Sequence, residues 1–135
     1  MANAVPLLTS YVVLVGMMLG SFINLAADRL PKGESLMHPR SHCRSCGRVL
    51  NLVDLIPLAG YMIRGGRCAT CGASIGASSP AVEALCGALM LASLAAFGLL
   101  LGALVGGVAV AIVGVVAVTL SFARSRGARR GFRLG

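Results

Sequence analysis

Two long stretches of this chain carry no charged side chain, and they constrain the fold more than anything else in it. Residues 1–27 are uncharged, and so are residues 84–123, a run of 40. A hydrocarbon core of about 30 Å needs about 20 apolar residues in a helix rising ~1.5 Å per residue. The first run supplies one crossing, roughly Val5 to Ala27. The second is twice too long for one crossing and reads as two helices. With 57% hydrophobic residues and only four acidic ones, Asp28, Glu34, Asp54 and Glu83, the chain does not have the composition of a soluble domain.

All twelve basic residues fall in two places: seven from Arg29 to Arg67, and five from Arg124 to Arg133. Positive segments stay on the cytoplasmic side of a membrane. Three crossings put both basic segments on one face, whereas two or four would separate them. The expected layout is an all-α integral membrane protein: a first transmembrane helix in 1–27, a cytoplasmic module over 28–79, a transmembrane hairpin over 80–123 and a basic cytoplasmic tail over 124–135. The N-terminus then lies outside. No basic residue precedes the first crossing and Arg29 and Lys32 follow it, the reverse of a secretory signal. The net charge of +8 fits anionic lipid and topology and gives no reason to expect nucleic acid.

Within the helices, Gly16 and Gly20 form a small-xxx-small pair that lets another helix approach. Ala84, Ala88, Ala92 and Ala96 give a second small-residue stripe. Leu30-Pro31-Lys32-Gly33 ends the first helix. Ser79-Pro80 opens the next, with Ser79 as its cap and Glu83 in the first turn, where the helix dipole favours an anion. The reversal between the last two helices is expected near Gly102. Leu50 to Ile63 is too short to span and is expected to hold the loop module against the membrane surface.

The module itself is too small to be held by a hydrophobic core, and cysteines offer the alternative. Cys43-Arg44-Ser45-Cys46-Gly47 and Cys68-Ala69-Thr70-Cys71-Gly72 are two copies of Cys-x-x-Cys-Gly. That is the spacing of a closed four-thiolate zinc site with Cys43, Cys46, Cys68 and Cys71 as ligands. The following residues also agree, Cys-Gly-Arg-Val-Leu50 with Cys-Gly-Ala-Ser-Ile75, as in a pseudo-twofold pair of knuckles. Arg44, Arg48 and Arg67 lie within two residues of ligands and would favour thiolates. Disulfides or a dithiol redox pair are the rival readings. A cytoplasmic location disfavours the first, and the matched glycines disfavour the second. His38 and His42 read as loop residues and Cys86 as a small buried residue. A closed four-cysteine site has no open position, so its role is structural.

The order of motifs resembles the N-terminal region of the prepilin leader peptidases, which are also N-methyltransferases. The residues that carry the resemblance are Gly20-Ser21-Phe22-x-Asn24, Arg29-Leu30-Pro31-x-Gly33-x-Ser35, the first cysteine pair, Asp54-Leu55-Ile56-Pro57, Gly66-Arg67-Cys68-x-x-Cys71-Gly72 and Pro80-x-Val82-Glu83. The resemblance implies a bacterial inner-membrane protein of type IV pilus or type II secretion systems. Its partners would be prepilin or pseudopilin leader peptides and membrane lipid. Its cofactors would be structural zinc and, through the family's methylation step alone, S-adenosylmethionine. No S-adenosylmethionine motif can be placed.

The departures from the family pattern are Arg44 where it usually has Pro, and Ser78-Ser79 where it usually has Arg-Tyr. The family's two catalytic aspartates also have no counterpart, because no acidic residue follows Glu83. Asp28 and Asp54 sit in no matching motif, so no catalytic residue is assigned and no peptidase activity is expected from this chain alone. Three readings follow. The chain supports processing by a separate catalytic peptidase subunit, it is a non-catalytic membrane zinc scaffold, or it is a truncated remnant of the enzyme.

Overall fold

The computed structural model describes residues 4–131, with side chains to residue 126. Helix α1 is Ala4–Arg29, α2 is the five-residue Ala59–Ile63, α3 is Ser78–Phe97 and α4 is Leu99–Gly131. Single 3-10 turns cover Leu30–Lys32 and Val53–Leu55. Extended pairing among the described residues is limited to two isolated antiparallel bridges. Among the described residues, three helices are long and apolar enough to cross a membrane, so the all-α architecture with a loop module after the first crossing stands. Of the basic tail, the side chains of Arg129, Arg130 and Arg133 lie outside the described residues.

Helix α1 stops where Pro31 forbids further α geometry and Gly33 turns the chain at φ 73. Helices α1, α3 and α4 pack on one another around Cys86, Met90, Leu94 and Val110. Cys86 is 0% exposed, in keeping with its reading as a small buried residue. Gly16 and Gly20 do mark the crossing of α1 with α3. A Cβ on Gly20 would stand 3.0 Å from the Val82 carbonyl oxygen and 3.1 Å from Cys86 Sγ. Most other large apolar side chains on the helices point outward, Leu7, Leu100 and Leu104 among them. In water such faces would drive association; against lipid tails they are the expected surface.

The structure settles three local features. The alanine stripe faces away from the bundle: Ala84, Ala88, Ala92 and Ala96 are all exposed. The buried face of α3 is Glu83, Cys86, Gly87, Met90 and Leu94. The reversal falls at Gly98, one of the glycines in the expected window and four residues before Gly102. Gly98 alone joins the two helices, at φ 74, a left-handed conformation that side chains resist. Gly102 serves the close approach that follows, since a Cβ there would lie 2.5 Å from the Ser93 carbonyl oxygen. Finally, α3 begins at Ser78 with Ala77 as its cap residue and no side-chain cap bond. Ser79 instead donates its hydroxyl to Glu83 Oε1 at 3.1 Å.

Candidate metal centre

The two cysteine turns have the same backbone, displaced by a constant 25 residues. Cys43 N–H donates to Arg48 O at 2.8 Å, and Cys68 N–H to Ala73 O at 2.9 Å. Gly47 N–H returns to Cys43 O, and Gly72 N–H to Cys68 O. Leu50 N–H donates to Ser41 O, and Ile75 N–H to Gly66 O. The bridges His42–Val49 and Arg67–Ser74 complete the match. Gly47 and Gly72 sit at φ 72 and 68, so each turn leaves its second cysteine through a conformation suited to glycine. This is the pseudo-twofold pair of knuckles that the repeated sequence predicts.

The knuckles face each other and interleave their sulfurs. Cys43 Sγ lies 3.8 Å from Cys71 Sγ, and Cys46 Sγ lies 3.9 Å from Cys68 Sγ. All four sulfurs fall within 4.8 Å of one another. A zinc ion with Zn–S bonds of about 2.3 Å at tetrahedral angles has sulfur–sulfur edges of about 3.8 Å. A disulfide would need about 2.05 Å, and all the cysteines are free. The spacing therefore fits a four-thiolate metal centre and does not fit disulfides. When bound there, zinc would supply a structural cross-link with no open coordination position.

The electrostatics make the same demand for a cation. The Cys68 thiol is lowered to about 6, first by the backbone N–H of Cys71 and then by that of Thr70. Cys43 is lowered in the same way by Cys46 and Ser45. For Cys71 the backbone N–H of Ala73 acts downward, but the Cys46 thiol, burial and the remaining sulfurs outweigh it and push Cys71 up to about 11. Four thiolates cannot all ionise this close together without a positive ion among them.

Of the three flanking arginines, Arg48 is the one whose guanidinium is influenced by a sulfur, that of Cys68. Arg44 pairs with Asp28 on α1, and Arg67 donates its backbone N–H to Arg64 O. Arg48 is held by Asp54, with Nη2 to Oδ2 at 2.5 Å. Asp54, and to a lesser degree the Cys68 sulfur, raise the Arg48 guanidinium above its usual value. Its Nε is buried and has no acceptor among the described residues. His42 Nδ1 lies 2.9 Å from Arg40 O, and neither His42 nor His38 joins the sulfur cluster.

Behind the metal centre stands a polar hub that the sequence reading missed. Asp54 accepts from Arg48 on the first-knuckle side and from Arg64 Nε at 2.7 Å on the second-knuckle side. Asn51 and Asp54 each accept the other's backbone N–H at 3.1 Å. The Asn-x-x-Asp spacing is that of a reciprocal capping pair, and it was the available signal. Two residues beyond the 3-10 turn and Ile56, Leu58 takes φ 56, uncommon for a residue with a side chain. Its N–H donates to Glu83 Oε2 at 2.8 Å. Glu83 is 5% exposed, so this carboxylate joins α3 to the loop module and does not serve as an exposed charge at a helix end.

The two aspartates form no dyad. Asp28 is bound by Lys32 and Arg44, Asp54 by Arg48 and Arg64, and a catalytic pair must share a proton between carboxyl groups.

Spanning helices with a knuckle pair on the loop after the first define a polytopic membrane protein with a four-thiolate metal-binding module. The family model described as the Bacterial Peptidase A24 N-terminal domain matches residues 14–97. The chain belongs to that family, and what it contains of it is the N-terminal domain. It is 39% identical over 93 residues to a prepilin leader peptidase/N-methyltransferase of Myxococcus xanthus, covering 69% of this chain and 28% of the relative. It is 34% identical over 110 residues to the protein of that name in Bacillus subtilis, covering 82% and 44%. A type 4 prepilin-like proteins leader peptide-processing enzyme of Escherichia coli is 37% identical over 98 residues, covering 58% and 36%. The chain thus spans less than half the length of each. No solved structure matches it.

Proposed function

We propose that this chain is a zinc-stabilised support module of prepilin or pseudopilin leader processing. It acts with a peptidase whose catalytic aspartates lie outside these 135 residues. The observation that carries this reading is a sulfur tetrahedron set in a family N-terminal domain whose own aspartates are both locked between cations. The module would present the leader, support N-methylation by S-adenosylmethionine, or hold the catalytic subunit.

The reading includes an orientation, with the N-terminus outside and the zinc loop and C-terminus in the cytoplasm of the bacterial inner membrane. The two basic segments support it. It also places the Leu50–Ile63 stretch at the membrane surface, supported by the exposed Leu52 and Met62 side chains and by the Leu58–Glu83 bond to the end of a spanning helix.

Co-expression with a prepilin and a peptidase-only partner tests the proposal. Cleavage and N-terminal methylation, read by mass spectrometry of the pilin, should rise when the chain is present and fall back with Cys43→Ser/Cys71→Ser. Identical processing with and without the chain would remove the reading and leave the scaffold alternative. That alternative requires a stable partner recovered from membranes.

A further inference from the structure

Arg29, the last residue of α1, is 6% exposed. Its Nη1 donates to Ser35 O and its Nη2 to Pro39 O, both at 2.8 Å. These two bonds fold the loop after α1 back over the guanidinium. The carbonyls are dipoles, and the end of α1 adds only a partial negative charge. Arg29 has no counter-ion among the described residues. Asp28 pairs with Lys32 and Arg44, Asp54 pairs with Arg48 and Arg64, and neither Glu34 nor Glu83 forms an ion pair. A buried charge with no opposite charge is costly.

Beside Arg29 lies a cleft of about 200 Å³. Arg29, Arg40 and Ser41 give it a cationic and polar wall; Met37, Leu50 and Leu55 give it an apolar one. Arg40 also has no carboxylate partner among the described residues. Arg29 lies within the candidate membrane span Ala4–Lys32, three residues from its end, so the cleft sits beside the end of a segment apolar enough to span. Arg40 can offer a phosphate the parallel hydrogen bonds of the Arg fork, while Arg29, whose Nη atoms each already serve a carbonyl, adds its uncompensated charge. The apolar wall suits the first carbons of a chain attached to it.

We infer that the cleft between the end of α1 and the first knuckle binds a phosphate group, with Arg29 and Arg40 as its cationic pair. The site is distinct from the sulfur cluster and does not depend on the proposed role in prepilin processing. The shared chemistry is a phosphate, and its source is either a phospholipid headgroup or a free phosphate.

The test uses the full chain with zinc, in nanodiscs of phosphatidylcholine doped with phosphatidylglycerol. Native mass spectrometry reads lipid retained per chain, and thermal unfolding reads stabilisation. Phosphatidylglycerol should be retained in preference to phosphatidylcholine and should raise the unfolding midpoint. Arg40→Gln, on an exposed loop, should weaken retention about tenfold, the scale of one charge-assisted hydrogen bond. Arg67→Gln, exposed on the second knuckle and outside the cleft lining, removes one charge and should leave it unchanged. A parallel titration with inorganic phosphate separates the sources. If phosphate alone gives the same stabilisation and displaces the lipid, the site stands and needs no acyl chain. Equal retention of both lipids, or equal losses in Arg40→Gln and Arg67→Gln, would overturn the inference.

Discussion

The backbone N–H of Leu58 donates to Glu83 Oε2 at 2.8 Å, binding a left-handed residue of the loop to a buried carboxylate of a spanning helix. Ser79 donates to the other oxygen. Glu83→Ala should leave the Leu58 N–H without an acceptor and cost about 1–3 kcal/mol. Glu83→Gln keeps an acceptor oxygen and should cost less. Amide hydrogen exchange at Leu58 checks this: it should speed up strongly in Glu83→Ala and weakly in Glu83→Gln, with α4 amides unchanged.

Asp54→Asn should destabilise the loop module by about 3 kcal/mol, because it leaves two partly buried guanidiniums without their charge. The pH dependence has a definite sign. Burial acts to raise the Asp54 carboxyl, but Arg64, the Asn51 N–H and Arg48 outweigh it and hold the folded-state value below the usual one. The stabilisation is then full above the unfolded value of ~3.9 and is lost as pH falls through the folded one. The difference in unfolding free energy between wild type and Asp54→Asn should be flat above about pH 5 and shrink below about pH 4.

Metal analysis should find one zinc per chain. Removing it with a strong chelator should release the two turns while leaving the spanning helices, since their core of Cys86, Met90, Leu94 and Val110 includes no ligand. Circular dichroism should keep most of its helical signal as exchange accelerates at Gly47 and Gly72. Arg48→Gln removes the charged group that the Cys68 sulfur influences and should weaken zinc binding by about 10–100-fold in a chelator competition, with Arg48→Lys in between.

Gly20→Val places methyls where a Cβ already meets the Val82 carbonyl and Cys86 Sγ. The α1–α3 crossing should open, at a cost of about 1–3 kcal/mol. Ala88→Val, on an exposed position of α3, should change little. Thermal unfolding of both variants in one detergent gives the comparison.

The parts of this protein legible before its structure were those with a repeating local signal. Uncharged runs marked the spans, since hydrocarbon admits few charges over ~20 residues. Cys43, Cys46, Cys68 and Cys71 were legible because a thiolate metal site needs fixed pair spacing and matched glycines. The alanines of α3 marked a helical face, but a four-residue period does not state what lies against it, and the buried face is that of Cys86 and Met90. Gly98 and Gly102 were interchangeable as sequence in a run of glycines. Only packing distinguishes a turn at φ 74 from a close helix contact.

The sequence by itself determined three spans, a loop that needs a staple, and the four sulfurs that provide one. These follow from composition and short spacing, which act within a turn or two of chain. The tertiary structure alone decided where the few charges go: Arg44 to Asp28, Arg48 and Arg64 to Asp54, Glu83 to Leu58, and Arg29 into a buried place beside a cleft. With twelve cations and four anions, many pairings satisfy the sequence equally. Burial selects among them, because the cost of an unpaired charge depends on the depth at which the fold leaves it.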